Sequence, residues 1–418
     1  MDLEVVTVGT ELLLGFTLDG NTADIGRILS PIGCDVVRST SVPDDETAIR
    51  DAVLGGLSRT GTVVVTGGLG PTCDDITKKV VAGIFEAPLE LSLEYLEKLE
   101  QKFAKLRKGP MPGPNRSQAE IPRGATVLRN PRGTAPGLWL EGVHGTAIML
   151  PGVPVEMRYL MESEVVPKLK LVMSTAQIRE TVTRSCTIRT TGISESQLAE
   201  DLSDIEALPD DVTLSYLPGV DGVDLRITIR NVSDTQATSS LDRATEILLP
   251  GLGSRFYGVA PITLSEVLID RLREAQMRIA VAESCTGGMV GARLTTVPGA
   301  SDVFAGGVIC YENASKIRDL GVPGALLEES GAVSETVARA MAAGICRRFQ
   351  VDVGVGVTGI AGPDGGTAEK PAGTVWLAAQ VGSTTRSKKR WFPGKRSEVR
   401  KRSAQGALDL VRSMLVAD

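Results

Sequence analysis

The sequence predicts an α/β protein, built as two three-layer α/β domains joined by a small α+β domain. Three observations carry this. Short, continuously apolar runs (VVTVG, VVVTGG and AIML near one end, RIAVAE and VDVGVGVTG near the other) alternate with amphipathic segments of helical period. That is the pattern of buried strands covered by helices. Between these regions the order changes to strand, helix, strand, strand, helix, strand. Finally, 418 residues exceed what one core supports.

Taken in order, the run from Glu4 reads as a buried strand and NTADIGRILSPIGCDV as an amphipathic helix. DETAIRDAVLGGLSRT reads as a second helix and GTVVVTGG as a second buried strand. Leu91 to Lys108 is charged and helical, and the Pro/Gly-rich KGPMPGPNRSQAEIPRG punctuates like a long functional loop. TAIMLPGVPVEMRYLMESEVV supplies a strand, a turn and a helix that close a domain over residues 1–170. In residues 171–258 strands are expected at Thr181–Thr190, Val212–Leu217 and Val223–Ile229, with helices at Ser194–Leu202 and Thr235–Leu248 and a short last strand. This order resembles a ferredoxin-like or KH-like module. No GXXG clamp precedes a basic helix and no aromatic pair lies on the strands, so RNA binding is the weaker reading. Residues 259–418 return to α/β, with helix TLSEVLIDRLREAQ, strand RIAVAE, a helix after CTGG, and strand FAGGVICY. Helix SETVARAMAAGICRRF, strand VDVGVGVTG, a Gly-rich loop, strand TVWLAAQV and a last helix from about Ser397 complete it.

Composition excludes several chemistries. Six scattered cysteines, with no C-x-x-C, fit free thiols in a reducing cytoplasm rather than zinc or disulfides. The acidic start lacks a basic n-region, and no apolar run reaches the ~18 residues of a membrane span, so a cytoplasmic protein without membrane attachment is expected. A net charge of −6 argues against wholesale nucleic-acid binding. The single histidine, His144, is expected in a turn between two strands. With no second histidine, H-E-x-x-H metalloproteases and zinc deaminases are excluded. A hydrolase here needs lysine, carboxylates or an oxygen-ligated metal.

Three Gly-rich turns hold the chemistry. In VVVTGGLGPTCDDITKKVV, Val63 to Val81, glycines let the backbone approach an anion and Thr72 or Asp74 is placed to cap the next helix. Asp74 and Asp75 suit a divalent cation, although a capped turn with two solvated acids explains the spacing as well. No Gly-Lys-Ser/Thr follows, so this is not a Walker A loop. In AVAESCTGGMVG, Ser284 ends a strand where a nucleophile gains nearby amides. Serine is also a common helix N-cap, the simpler reading of the stretch alone, and Cys285 is an alternative nucleophile. Downstream, CYENASKIRDLGV sets Tyr311, Asn313 and Lys316 after a buried strand. A lysine desolvated there replaces histidine as a base, whereas a lysine on an exposed helix face has no such role. The third turn contains a literal G-x-G-x-x-G at Gly354, Gly356 and Gly359. Pro363 follows where a helix should open and the next strand ends without an acid, so a dinucleotide fold is rejected. Thr358 and the loop amides are oxyanion-hole candidates instead. The basic run RSKKRWFPGKRSEVRKRS, Arg386 to Ser403, reads mostly as a solvated face.

These blocks together resemble the CinA family of competence/damage-inducible proteins. VGTELLLG (Val8–Gly15), Asn21, GGLGPTCDDIT, GTAPG (Gly133–Gly137) and LPGVPVEM (Leu150–Met157) are similar to its molybdopterin-binding-like N-terminal domain. The resemblance implies a metal-dependent ADP-ribose pyrophosphatase. Gly67, Gly68, Gly70, Thr77, Asn21 and Asn115 would bind substrate, and Asp74, Asp75 and Glu11 a divalent metal such as Mg or Co, with potassium as a further ion. AESCTGG, GGVICYENASK, GAVSE (Gly331–Glu335), VTGIAGPDGG (Val357–Gly366), KPAGTVW (Lys370–Trp376) and F-x-G-x-R-x-x-V-R at Phe392–Arg400 resemble its C-terminal nicotinamide-nucleotide amidohydrolase. That implies a cofactor-free reaction on nicotinamide mononucleotide with Ser284 as nucleophile, Lys316 as base and Tyr311 positioning them. Thr358 would assist, with Gly287, Gly288, Asn313, Gly359, Arg396 and Arg400 at the substrate. Pyridine-nucleotide salvage by a homodimer is the implied setting. Rival readings are a competence or DNA-repair binding protein that uses Lys388, Lys389 and Arg390, and a molybdopterin-binding enzyme.

Overall fold

The computed structural model describes residues 1–107, 110–176, 181–203 and 208–415. Its contacts divide the chain into two units, Met1–Arg184 with Ile229–Thr238, and Ser185–Thr228 with Ser239–Asp418.

The first unit runs β1 (Asp2–Val8), α1 (Thr10–Leu13), α2 (Asn21–Leu29), β2 (Asp35–Val42), α3 (Glu46–Thr60), β3 (Thr62–Thr66) and α4 (Thr77–Ile84). It continues with β4 (Leu89–Leu91), α5 (Leu93–Arg107), β5 (Glu120–Pro122), β6 (Thr126–Leu128), β7 (Gly137–Gly142), β8 (Gly145–Leu150), α6 (Pro154–Leu160) and α7 (Val166–Thr175). The main sheet has the order β2-β1-β3-β8-β7-β6, parallel across the first four strands and antiparallel at β7 and β6. Both of its faces are covered, which is why the runs are continuously apolar. Val6, Val63, Val65 and Met149 pack with Ile49, Val53 and Leu57 of α3, while Val5, Val64 and Ile148 pack with Ile25 and Leu29 of α2 and Met157 of α6.

Several boundaries differ from expectation. The helix predicted through NTADIGRILSPIGCDV stops at Leu29, passes through a 3₁₀ turn and ends on left-handed Gly33. Pro31 and that glycine end it, and Asp35 opens β2, an unpredicted strand. The helix expected over Leu91–Lys108 begins at Leu93, because Leu89–Leu91 pairs with β5; Lys108 lies outside the described residues. Strands β4, β5 and β6 are additional to the expected ones, and His144 sits between β7 and β8 as expected. Neither Thr72 nor Asp74 caps α4: its N-cap is Ile76, without a side-chain bond. Thr72 is held by Asp75 instead.

Next come β9 (Val182–Thr190), one residue later than expected, α8 (Glu195–Asp201), β10 (Val212–Pro218), β11 (Val223–Val232), α9 (Asp234–Leu252) and β12 (Phe256–Val259). They form the four-stranded sheet β10-β11-β9-β12, against which Leu198 of α8 and Leu248 of α9 bury Ile188, Leu225 and Ile227.

The last region comprises α10 (Leu264–Glu274), β13 (Ile279–Glu283), α11 (Met289–Thr295), β14 (Phe304–Ile309), α12 (Asn313–Leu320), α13 (Gly324–Ser330) and α14 (Glu335–Phe349). After these come β15 (Val353–Gly359), β16 (Thr374–Val381), β17 (Thr384–Trp391) and α15 (Arg396–Leu415). The sheet order is β14-β13-β15-β16-β17, parallel over the first three strands. One face buries Val281, Val355 and Leu377 with α10, α11 and α15, and the other buries Ala280 and Ala282 with Val337 and Met341 of α14. All three glycines of the literal G-x-G-x-x-G lie in β15. A Cβ on Gly354 or Gly356 would stand 2.3 or 2.2 Å from the carbonyl oxygens of Ala342 and Ala338, so they let α14 pack close to the sheet. Part of the basic run, read as a solvated face, is the edge strand β17.

Candidate functional site

Strands β13 and β15 are parallel neighbours, so their carboxyl ends lie side by side, and Ser284 follows directly on β13 with its amide bonded to Val357 O at 2.9 Å. Its side chain does not cap α11. The N-cap of that helix is Gly288, left-handed and without a side-chain bond. The capping task falls to Glu283, buried at the end of β13. Its Oε2 accepts from the amides of Gly288 (3.0 Å) and Val290 (3.1 Å), and its Oε1 from Gly291 (2.8 Å). The capping reading of Ser284 is therefore replaced by its neighbour, and the serine hydroxyl is left for another partner. Glu283 was missed because it reads as the last residue of an apolar strand; an acid there, five residues before a Gly-Gly helix start, is the signal.

That partner is Lys316, on α12 and only 1 % exposed. Its Nζ lies 3.3 Å from Ser284 Oγ and also donates to Cys310 O (2.9 Å) and Tyr311 O (3.4 Å). Burial pushes its pKa below the ordinary lysine value, opposed only by the Cys310 and Cys285 thiols. A neutral amine has two N–H groups and one lone pair. In the neutral form, N–H groups given to the two carbonyls would leave the lone pair for the serine hydroxyl. The lysine of an exposed helix face is thus excluded by its packing.

Around this pair, Tyr311 is exposed and its hydroxyl accepts from Arg396 Nη2 at 2.6 Å; Arg396 Nη1 donates to Gly362 O at 3.0 Å. Arg400 donates through Nη2 to Thr286 O at 2.8 Å and lies beside Gly287, where a Cβ would stand 3.2 Å from Nη2. Asn313 is exposed on the first turn of α12. Thr358 is buried and its hydroxyl donates to Ala332 O at 2.7 Å, so its proton is not directed at an oxyanion. Its neighbour Gly359 ends β15 with no room for a side chain against Thr374 O. Cys285 is buried and its thiol is pushed up to about 12 by desolvation, which leaves it a thiol rather than a nucleophilic thiolate.

In the first unit the carboxyl ends of β1, β3 and β8 hold a second set. Asn21 Nδ2 donates to Thr66 Oγ1 (3.0 Å) and Gly152 O (2.8 Å), which ties α2 to the ends of β3 and β8. Gly67 has φ 104° and a Cβ there would meet Val8 O at 2.2 Å, while one on Gly68 would meet Thr77 Oγ1 at 2.1 Å. Among the described residues, the Oδ1 of Asn21 and the Oγ1 of Thr77 are buried without hydrogen-bond partners. Two orphaned oxygens beside a side-chain-free turn form a polar cradle. Gly70 abuts Asp75, whose Oδ2 accepts from the Thr72 amide at 2.9 Å and from the Thr72 hydroxyl, and the adjacent Asp74 is exposed. Lys78, not anticipated from the sequence, is pushed down to about 8 by burial, against the pull of Glu120 and Asp75, and donates to Ser117 O. Asn115 is turned into its own 3₁₀ segment, donating to Gln118 Oε1 at 3.0 Å. Glu11 is exposed on α1 and folds over Gly9. Among the described residues no three His, Cys, Asp or Glu side chains form a metal cluster, so Glu11 does not join Asp74 and Asp75 in one.

Comparison with known proteins follows the same division. Residues 4–171 match the family model "Probable molybdopterin binding domain", residues 185–258 match "Damage-inducible protein CinA KH domain", and residues 262–415 match "CinA C-terminal domain". A CinA-like protein of Gemmatimonas aurantiaca is 45% identical over 99% of this chain and 96% of that protein, and one of Salinibacter ruber is 39% identical over 99% and 100%. The crystal structure of the competence/damage inducible protein CihA from Agrobacterium tumefaciens is 36% identical over 36% of this chain and 93% of that one, with a TM-score of 0.36. Near-complete coverage at this identity, across all three domain types in the same order, means that the chain belongs to the CinA family.

Proposed function

We propose that the C-terminal region hydrolyses the carboxamide of nicotinamide mononucleotide to nicotinate mononucleotide and ammonia. The observation that carries this reading is the buried Lys316 Nζ at 3.3 Å from Ser284 Oγ, desolvated and, among the described residues, without a carboxylate partner. Neutral Lys316 accepts the Ser284 proton as Oγ attacks the carboxamide carbon. The ammonium then returns that proton to the departing nitrogen, ammonia leaves, and an acyl-serine remains. Water attacks the ester, gives its proton to Lys316, and the carboxylate product departs as the proton returns to Ser284. The amide of Thr286 has no protein acceptor among the described hydrogen bonds and is the donor offered to the oxyanion, in place of Thr358. Arg396 and Arg400 retain unused N–H groups for the substrate phosphate. The deciding experiment is ammonia release by the purified protein and Ser284→Ala. Release by the wild type alone is expected; equal release by both overturns the assignment.

For the first unit we infer metal-dependent hydrolysis of ADP-ribose to AMP and ribose 5-phosphate. The orphaned oxygens of Asn21 and Thr77 beside Gly67 and Gly68 support a polar ligand there. Asp74 and Asp75 are hard oxygen donors, and two carboxylates suit a divalent ion that draws the rest of its shell from substrate phosphates and water. When bound, that ion supplies charge neutralisation of the diphosphate. Formation of AMP from ADP-ribose, stimulated by Mg or Co, tests this reading.

A further inference from the structure

The basic run from Arg386 to Ser403 is not consumed by the Ser284 site beyond Arg396 and Arg400. In the second unit part of it lines a cavity of about 440 Å³, bounded on one side by β17 and α15 and on the other by Thr191–Glu195 and the β10–β11 turn, Pro218–Val223. Lys388 and Arg390 are two residues apart on β17 and so share one face of the strand. Their register partners Leu377 and Val375 belong to the core that α15 covers, so that face is the α15 side, and Arg402 of α15 joins them. Neither Ser284 nor Lys316 lines this cavity.

The charges in it do not cancel. Asp221 is held by Arg293 Nη2 at 2.6 Å and Asp409 by Arg412 Nη2 at 2.7 Å, so two of the three lining acids are already neutralised. Glu195 is the third. Among the described residues Lys388, Arg390 and Arg402 have no carboxylate partner; Arg402 spends one N–H on Pro393 O at 2.9 Å. Three cations against one free carboxylate leave an excess of positive charge in a concave space. Phe392 and the exposed Trp391 also line it, with Ile193 and Pro218, so the space has an aromatic and apolar portion beside the cationic one. An inorganic anion uses only the cations; a flat ring carrying phosphate uses both. The volume falls in the range of small-ligand sites, roughly 300–1,000 Å³.

We propose that this cleft is a second ligand site that binds a nucleoside phosphate, separate from the Ser284 site and from the Gly67–Thr77 turn. The test is calorimetric titration of the full chain with ADP, compared with Lys388→Ser/Arg390→Ser, Glu195→Gln and, as a control for the first unit, Asp75→Ala. Losing two charge-assisted contacts is expected to weaken ADP binding at least tenfold in the double variant. Glu195→Gln removes the repelling carboxylate and is expected to tighten binding, a gain that a mere loss of folding does not produce. The same binding event is expected to persist in Asp75→Ala. Unchanged ADP affinity in the double variant overturns the proposal, as does loss of all ADP binding in Asp75→Ala. Capture of single-stranded oligonucleotides with length-dependent affinity, not displaced by ADP, overturns it in favour of a nucleic-acid surface.

Discussion

Glu283 and Ser284 are neighbours in the chain with divided tasks: the Glu283 carboxylate accepts three amides at the start of α11, and the Ser284 hydroxyl faces Lys316 Nζ at 3.3 Å. The serine is free for chemistry because the glutamate completes the helix start. This division makes separate predictions for the two residues.

Loss of Lys316 basicity is expected to abolish ammonia release. Lys316→Arg keeps the charge but a guanidinium is not deprotonated in proteins, so kcat is expected to fall on the order of 10⁴-fold, as for Ser284→Ala. In the proposed reaction the lysine acts in its neutral form. Its pKa is lowered, so kcat/KM is expected to rise with pH through that lowered value and level off above it. A flat kcat/KM profile across that range removes Lys316 as the base.

Glu283→Gln replaces one accepting oxygen by a donor and leaves one buried amide at the α11 start without a partner, at a cost of about 1–3 kcal/mol. Thermal unfolding is expected to begin earlier, and kcat to fall because the Ser284 turn loosens. A variant with unaltered melting and kcat shows that the glutamate does not hold the turn.

Cys285 is 5 % exposed with its thiol pushed up to about 12, whereas Cys73 is exposed. Alkylation at neutral pH, read by mass spectrometry, is expected to label Cys73 and spare Cys285. Cys285→Ala is expected to retain amidohydrolysis. Loss of activity there, together with labelling of Cys285, identifies the thiol as the nucleophile.

In the first unit, Asp75→Ala is expected to remove metal-stimulated cleavage of ADP-ribose. Burial pushes Lys78 down to about 8, so its charge is expected to be lost as the pH rises past that value. The KM for ADP-ribose is therefore expected to rise as pH passes 8 in the wild type, and Lys78→Met to flatten that rise. A KM independent of pH detaches Lys78 from the substrate.

The sequence by itself determined the alternation of strands and helices, the turn at His144 and the position of Ser284 at a strand end. These follow from local apolar period and glycine placement, which short stretches contain. It also contained the motif blocks that mark the family. Tertiary structure alone decided what those residues face. Lys316 is 32 positions from Ser284, and only the packing of α12 beside the ends of β13 and β14 buries its amine against the hydroxyl. The same holds for Glu283, whose capping depends on the path of the chain back to Gly291, and for β17, whose charged alternation looks like a surface until β16 pairs with it. Burial and long-range hydrogen bonds set protonation and orientation, and neither is a property of a stretch of sequence read alone.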